Sequence, residues 1–226
     1  MNPAHELSPH AMRIVAAHSA LAGLCPLIPV PFVDDLLIGS LRERMLRALF
    51  AAHDLQLPRG GAKVLTTSPP GWLPGAAAAV LLFPIKKLVR KLVYVLAVKD
   101  CADVAASVFH DGWLVARLLA RPSGLALTDR NTLERARAAM LRTYADVDPT
   151  PLRRALAGAL LAARAGAVQA IQRLWQAKPR EDEPVVEAMR AAAMSQWDYL
   201  DALDRKFREQ LGVAAEEVEE VPALSG

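Results

Sequence analysis

Apolar residues recur every three or four positions along most of the chain, and short segments rich in proline, glycine or charge separate these stretches. This spacing is typical of amphipathic helices, and the strict alternation of a half-buried strand does not occur. The pattern therefore predicts an all-α protein, a bundle of about seven helices. The expected helical segments are 9–24, 34–55, 73–83, 84–98, 100–121, 129–145, 151–177 and 184–211.

Local capping signals favour several of these boundaries. Ser8 followed by Pro9 is a typical helix start, and Thr150 followed by Pro151 repeats the arrangement. The last helix follows an acidic run, where negative charge suits the helix dipole, and Gly212 is expected to end it. Residues 58–72 have the composition of a loop.

The clearest boundary in the chain is the stretch Arg121-Pro122-Ser123-Gly124. It predicts an N-terminal helical domain at 8–121 that packs with a C-terminal three-helix segment at 128–211. The acidic tail at 212–226 is expected to be disordered, because it is rich in glutamate and poor in large apolar side chains.

The proline-rich stretch PLIPVPFVDD, residues 26–35, separates the first two predicted helices. Its prolines stop the first helix, because each lacks a backbone donor and disfavours helix in the preceding residue. One of the two aspartates is expected to cap the second helix. The other is expected to be buried or half-buried and to pair with Arg13, Arg42 or His18. The residues assigned to this turn and cap are Pro26, Pro29, Pro31, Asp34 and Asp35.

The stretch PIKKLVRKLVYVLAVK, residues 84–99, predicts a basic amphipathic helix. At about 100° per residue, its basic residues and one tyrosine share an arc, and its apolar residues occupy the opposite arc. Such a helix can lie on anionic lipid or dock an acidic partner, and the alternative is a core helix with a solvated basic face. The candidate contact residues are Lys86, Lys87, Arg90, Lys91 and Tyr94.

Composition and charge narrow the class of protein. The 226 residues are 53% hydrophobic, and a net charge of +3 is too small to indicate nucleic-acid binding unless it is clustered. The two most apolar stretches, 14–33 and 72–85, are interrupted by proline or too short to span a bilayer. The N-terminus lacks the pattern of a secretion signal. We therefore expect a cytoplasmic protein that can lie peripherally on the inner membrane.

Side chains capable of catalysis are sparse. Cys25 and Cys101 lie in apolar, helix-like contexts and are expected to be buried and reduced. His18 and His110 belong to no metal-binding spacing, so each is expected to be a hydrogen-bonded core histidine. The glycine pair in 59–63 lacks the spacing of a phosphate-binding loop. The sequence thus predicts no cofactor, no metal, no catalytic residue and no enzymatic activity.

The stretch 16–55, AAHSALAGLCPLIPVPFVDDLLIGSLRERMLRALFAAHDL, resembles the helical domain of YcjF-type bacterial membrane-associated proteins and, more distantly, EcsC-like proteins. The resemblance implies an all-helical, membrane-proximal protein, in some relatives encoded with or fused to a P-loop GTPase, with no known catalytic residue. Phe32 stands where glycine is common in that family, and 128–226 has no counterpart. The matching residues are Ala20, Pro26, Pro29, Pro31, Asp34, Asp35, Arg44 and Met45.

Three functions stay open on the sequence alone. The first is a non-enzymatic helical module that associates with a membrane surface or a protein partner, and regulates a GTPase-like or envelope-associated machine. The second is a soluble helical scaffold or homo-oligomer without a lipid role. The third is a metal-dependent or small-ligand enzyme that uses Asp34, Asp35 and a histidine.

Overall fold

The computed structural model describes residues 7–27, 33–66, 89–121, 127, 129–162 and 184–212. These residues form eight α-helices and no strand, which confirms the predicted all-α bundle. A short 3-10 helix, Cys25–Leu27, follows the first of them. The helices are α1 (Pro9–Leu24), α2 (Val33–Ala51), α3 (Gly61–Thr66), α4 (Val89–Leu119), α5 (Arg130–Asp146), α6 (Thr150–Ala162), α7 (Pro184–Met194) and α8 (Trp197–Leu211).

The longest helix, α4, lies at the centre of the bundle and packs against α1, α2 and α6. It runs antiparallel to α1, because Gly23 lies against Cys101 and Ala105 whereas Gly112 lies against Val15. The helix α7 packs on α1 and α6, and α5 packs on α3 and α8. The C-terminal helices therefore share one hydrophobic core with the N-terminal ones.

Large aromatic side chains fill the middle of this core. Trp113, Phe109, Phe50 and Phe207 are each buried, and they come from three different helices. The ring of Trp197 meets Trp113 edge-on, with centroids 6.2 Å apart. Edge-to-face pairs of this kind contribute about 0.5–1.5 kcal/mol beyond the area they bury, so they help to fix α8 against α4.

The helix ends depend on local hydrogen bonds that the sequence partly predicts. The Ser8 hydroxyl accepts from the Ala11 N–H at 3.1 Å, and Gly212 adopts a left-handed φ of 68°, as expected. The start of α6 differs from the expectation, because the helix already includes Thr150. The carboxylate of Asp148 accepts from both the backbone N–H and the hydroxyl of Thr150, at 3.0 and 2.6 Å.

The prediction of two separate helices, 84–98 and 100–121, is wrong, because one continuous helix runs through Val89–Leu119. Nothing around residue 99 breaks a helix: Ala97, Val98 and Lys99 are followed by Asp100 with no proline or glycine between them. The basic residues at the start of α4 are consequently on the same helix as the centre of the core.

The predicted single helix 184–211 is also wrong, because it breaks between α7 and α8. Gln196 leaves helical geometry with φ −105° and ψ 38°, and the Ser195 hydroxyl donates to the Ala192 carbonyl at 2.7 Å. Serine can divert backbone hydrogen bonds in this way. Directly after the break, Trp197 packs on Trp113.

The end of α2 falls at Ala51, earlier than the predicted Leu55. Asp54 adopts a left-handed φ of 54°, and the N–H groups of Asp54 and Leu55 donate to the carbonyls of Ala51 and Phe50. This is the Schellman arrangement that closes many helices. The predicted loop 58–72 is also corrected, since Gly61–Thr66 forms the short helix α3.

Several predicted features fall outside the described residues. They are the helix 73–83, residues 163–177 of the predicted long helix, the turn residues Pro29 and Pro31, and the tail after Gly212.

Candidate functional site

The predicted contact segment is only partly described. Arg90, Lys91 and Tyr94 lie on the first two turns of α4, whereas Lys86 and Lys87 lie outside the described residues. Further along the same helix, Lys99 is exposed and Cys101 is buried. Cys101 is therefore the first buried residue in the part of α4 whose side chains are described.

Of the predicted turn and cap residues, Pro26, Asp34 and Asp35 are described, whereas Pro29 and Pro31 lie outside the described residues. Pro26 belongs to the 3-10 helix that follows α1. Asp34 and Asp35 both lie in the first turn of α2, and Asp35 is exposed. Because α2 already begins at Val33, neither aspartate occupies the N-cap position that was expected for one of them. Carboxylates in a first helical turn interact favourably with the helix dipole. The side chain of Asp34 is outside the described residues, so the expected buried partner for one of the pair stays a prediction.

The most distinctive site in the described residues is a stripe of polar side chains on α4, here called the polar seam. At about 100° per residue its members share an arc of about 120° on a helix that is otherwise mostly apolar. Its members are Asp103, Ser107, His110, Asp111 and Arg117. Each contacts a polar side chain from another helix, so the polar seam joins α4 to the helices around it.

Asp111 is the centre of the polar seam and is 3% exposed. Its Oδ1 accepts hydrogen bonds from Arg137 Nη1 and the Tyr144 hydroxyl, each at 2.9 Å. On the other side, Arg42 Nε lies 3.5 Å from Oδ2, and Arg42 Nη2 donates to the Ser107 hydroxyl at 2.5 Å. Hydrogen bonds from charged donors compensate the desolvation of a buried carboxylate. Burial, followed by the charge of Asp111, raises the pKa of Tyr144 well above its usual value.

His110 lies beside Asp111 and is 1% exposed. The Tyr199 hydroxyl is 2.7 Å from its Nε2, and the rings of Tyr144 and Tyr199 flank the imidazole. Nδ1 is buried without a hydrogen-bond partner in the described residues. Burial lowers the pKa of His110 to about 4, against the opposing charge of Asp111. The ring is therefore neutral at pH 7, and its hydrogen bond confirms the expected core role.

A second buried carboxylate, Asp204 of α8, lies among three arginines. Arg117 Nη2 donates to Asp204 Oδ2 at 2.7 Å, and Arg208 Nε lies 3.5 Å from the same oxygen. Arg121 Nη2 lies 3.6 Å from Oδ1. Because Asp204 is 1% exposed, its charge needs these partners to be tolerated in the core. The arrangement fixes α8 alongside the second half of α4.

The outer end of the polar seam and the cysteines complete the surroundings of α4. Arg153 Nε of α6 lies 3.2 Å from Asp103 Oδ1. Cys25 and Cys101 are buried and form no disulfide, as expected. Burial, with a smaller contribution from the charge of Asp100, raises the pKa of Cys101 to about 12. Its thiol is protonated at pH 7 and therefore a poor nucleophile.

The polar groups of the polar seam are engaged with side chains of neighbouring helices. The carboxylates of the polar seam are held by guanidinium groups, and its imidazole is neutral and enclosed. The hydroxyl of Tyr144, which contacts the polar seam, is hard to ionise. Within the described ranges, no three His, Cys, Asp or Glu side chains are grouped so that they could hold a metal ion. His18 is likewise engaged, since its Nδ1–H donates to the Ile14 carbonyl at 2.8 Å.

Sequence reasoning singled out His110 but missed most of its surroundings. The partners Arg137 and Tyr199 lie 26 and 89 positions from the polar-seam residues they contact, so no local pattern links them. One signal was available: polar residues at 103, 107, 110 and 111 interrupt an apolar helix at helical spacing. Polar side chains on a buried central helix need hydrogen-bond partners, so such a stripe indicates polar side chains on the neighbouring helices.

No protein-family model matches the chain, and neither the curated proteins nor the solved structures include one significantly similar to it. In the part of the chain that the structure describes, no helix is both long and apolar enough to cross a bilayer.

Proposed function

We propose that this chain is a non-enzymatic helical module that docks on an anionic membrane surface through the basic segment at the start of α4. On this proposal Lys86, Lys87, Arg90 and Lys91 supply the charge, and Tyr94 lies among them. Each basic residue near an anionic surface contributes about 1 kcal/mol, so four of them are sufficient for reversible binding. The attraction weakens as salt shortens the Debye length.

The observation that carries the proposal is the continuity of α4 from Val89 to Leu119. A helix of 31 residues is about 46 Å long, and many of its residues from Cys101 onward are buried in the core. Arg90 and Lys91 are therefore rigidly linked to the central helix of the core. A contact made there would orient the whole bundle relative to the surface.

The polar seam supports the same proposal, because it resists sliding or rotation of α4. Two buried carboxylates, Asp111 and Asp204, bind arginines from α2, α5 and α8 as well as from α4 itself. Hydrogen-bonded charge pairs have strict geometry, so they fix the register of a helix more tightly than apolar contacts do. Arg90 and Lys91 are consequently part of a helix whose position in the bundle is fixed.

The resemblance to YcjF-type proteins favours a bacterial cytoplasmic protein on the inner membrane that regulates a GTPase-like partner. A docked bundle of this kind would use its membrane contact for location and another surface for the partner. We expect the protein to bind no cofactor. A soluble homo-oligomer without lipid affinity is the rival function, and it predicts a stable oligomer in solution and no binding to vesicles.

Vesicle flotation tests the proposal. The full chain is mixed with phosphatidylcholine vesicles with and without phosphatidylglycerol, at low and high salt. We expect flotation only with phosphatidylglycerol, lost at high salt and lost in the Lys86/Lys87/Arg90/Lys91→Glu variant. Flotation that is absent, or unchanged in this variant, would contradict a lipid-binding role.

A further inference from the structure

A separate cleft lies between α2 and α3, on residues that the proposed membrane contact does not use. Its volume is about 460 Å³, which is within the usual range for small-molecule sites. One wall is α2, with Glu43 and Arg47, and another is α3, with Ala62 and Lys63. The loop 55–60 forms the remaining wall. Because the cleft is concave and partly open, a ligand could enter it directly from solvent.

The charged side chains lining the cleft are mainly cationic: Arg47, Arg59 and Lys63 against the single carboxylate of Glu43. Arg47 Nη2 donates to Glu43 Oε1, so these two neutralise each other. Arg59 is exposed and makes no ion pair with any described residue. An arginine fork at a concave surface suits an anion with several oxygens, because it can donate two parallel hydrogen bonds.

The rest of the lining is apolar and includes Leu55, Leu57, Pro58 and Ala62. Leu55 is 40% exposed, which makes it one of three large apolar side chains exposed in the described part of the chain. An apolar wall beside an unpaired arginine fits a ligand that has an anionic head and a carbon-containing body. Inorganic anions would leave the apolar part of the lining unused.

The loop that carries Arg59 is anchored at both ends. On one side, the Leu55 N–H donates to the Phe50 carbonyl at 2.9 Å and closes α2. On the other, the Gly61 N–H donates to the Pro58 carbonyl at 2.9 Å, and Gly61 is buried so closely that an added Cβ would lie 2.8 Å from Leu133. An anchored loop loses little conformational entropy when a ligand binds.

We propose that this cleft binds a phosphomonoester, with Arg59 holding the phosphate and Leu55 contacting the organic portion. A phosphomonoester carries up to two negative charges and three terminal oxygens, which complements the cationic lining better than a single carboxylate does. The phosphate belongs either to a small metabolite or to a lipid headgroup, and both present the same group to Arg59. This inference does not depend on the membrane contact proposed for α4.

Amide NMR of the ¹⁵N-labelled chain, titrated with glycerol 3-phosphate, tests the small-molecule source. We expect saturable shifts at amides of residues 55–63, and affinity at least about tenfold weaker in Arg59→Ala, since a hydrogen bond to a charged group contributes about 1.5–3 kcal/mol. Arg44→Ala is the matched control, because Arg44 is an exposed arginine of α2 that does not line the cleft.

Flotation with phosphatidic acid and with phosphatidylglycerol at equal vesicle charge tests the lipid source. A headgroup phosphomonoester bound in the cleft predicts a preference for phosphatidic acid that disappears in Arg59→Ala and persists in Arg44→Ala. Contact through the start of α4 alone predicts equal flotation on both lipids. The proposal is overturned if glycerol 3-phosphate gives no saturable shift and phosphatidic acid is not preferred, or if Arg59→Ala and Arg44→Ala behave alike in both experiments.

Discussion

Arg137 of α5 donates a 2.9 Å hydrogen bond to the carboxylate of Asp111 at the middle of α4, and both residues are buried. The same carboxylate also accepts from Tyr144 and lies against Arg42 of α2. One side chain thus links three helices that are distant in sequence. Asp111 stabilises the folded chain because, without its carboxylate, the buried guanidinium groups of Arg42 and Arg137 would lose their negatively charged partner.

The first prediction concerns Asp111. Replacement by alanine removes the carboxylate from beside Arg42 and Arg137, which are both buried. Breaking a buried ion pair by removing one partner typically costs about 3–5 kcal/mol, so we expect a loss of that size in the free energy of unfolding, measured with urea. Glu134→Ala is the control, because Glu134 forms an exposed pair with Arg130, and such pairs contribute about 0–1 kcal/mol. Similar losses in the two variants would contradict the role given to Asp111.

The second prediction concerns His110 and pH. Its pKa is lowered to about 4 in the folded chain, against about 6.5 when unfolded, so the unfolded state binds the extra proton between these values. Stability should therefore fall as pH decreases through this window, by about 2 kcal/mol between pH 7 and pH 5 from this group alone. In His110→Gln, the free energy of unfolding should therefore fall by about 2 kcal/mol less between pH 7 and pH 5 than in the unmodified chain. An unchanged slope would show that His110 is not enclosed as described.

The third prediction compares two helical glycines. A Cβ at Gly23 would lie 2.8 Å from Ala105 Cβ and 3.0 Å from the Cys101 carbonyl, where neither neighbour can move easily. Gly23→Ala should lower the free energy of unfolding by about 1–3 kcal/mol. Gly158→Ala on α6 meets no atom within 4 Å and should raise it by about 0.5–1 kcal/mol. Thermal melting of both variants checks the signs, and a stabilised Gly23→Ala would mean that α1 and α4 are less closely packed.

The fourth prediction concerns Asp54, the residue with left-handed φ at the end of α2. Glycine adopts this conformation without steric cost, so Asp54→Gly should stabilise the chain by up to about 1 kcal/mol. Asp54→Ala should be destabilising, because alanine lacks the short polar side chain that makes the conformation tolerable for aspartate. Urea unfolding separates the two variants. If alanine were as stable as glycine here, α2 would end differently in solution.

Features set by neighbouring residues could be predicted from the sequence. Ser8 and Pro9 start α1, and Gly212 ends α8, because caps depend on residues a few positions apart. The break at Gln196 could not be predicted in the same way. It occurs directly before Trp197, which packs on Trp113, a residue far earlier in the chain. Tertiary contacts of this kind override local helix propensity.

The candidate sites divide along the same line. Spacing alone predicts that Arg90 and Lys91 belong to a basic amphipathic segment, because amphipathicity is a property of a single helix, and this role stays a prediction. The cluster around Asp204 could not, since Arg117 comes from α4, Arg121 follows the end of α4, and the carboxylate comes from α8. In the sequence these residues look like ordinary surface charges. Only the packing of α8 on α4 buries them together.

The most direct test of the membrane proposal compares two variants whose net charge changes by the same amount. For each variant, the partition coefficient between solution and phosphatidylglycerol vesicles is measured. Arg90/Lys91→Glu alters the first turn of α4, and Arg130/Arg135→Glu alters exposed arginines of α5. If the start of α4 is the contact, the first variant should bind at least about tenfold more weakly than the second, because reversing two charges in contact removes attraction and adds repulsion. Equal partition coefficients for the two variants would show that α4 does not direct the chain to the membrane.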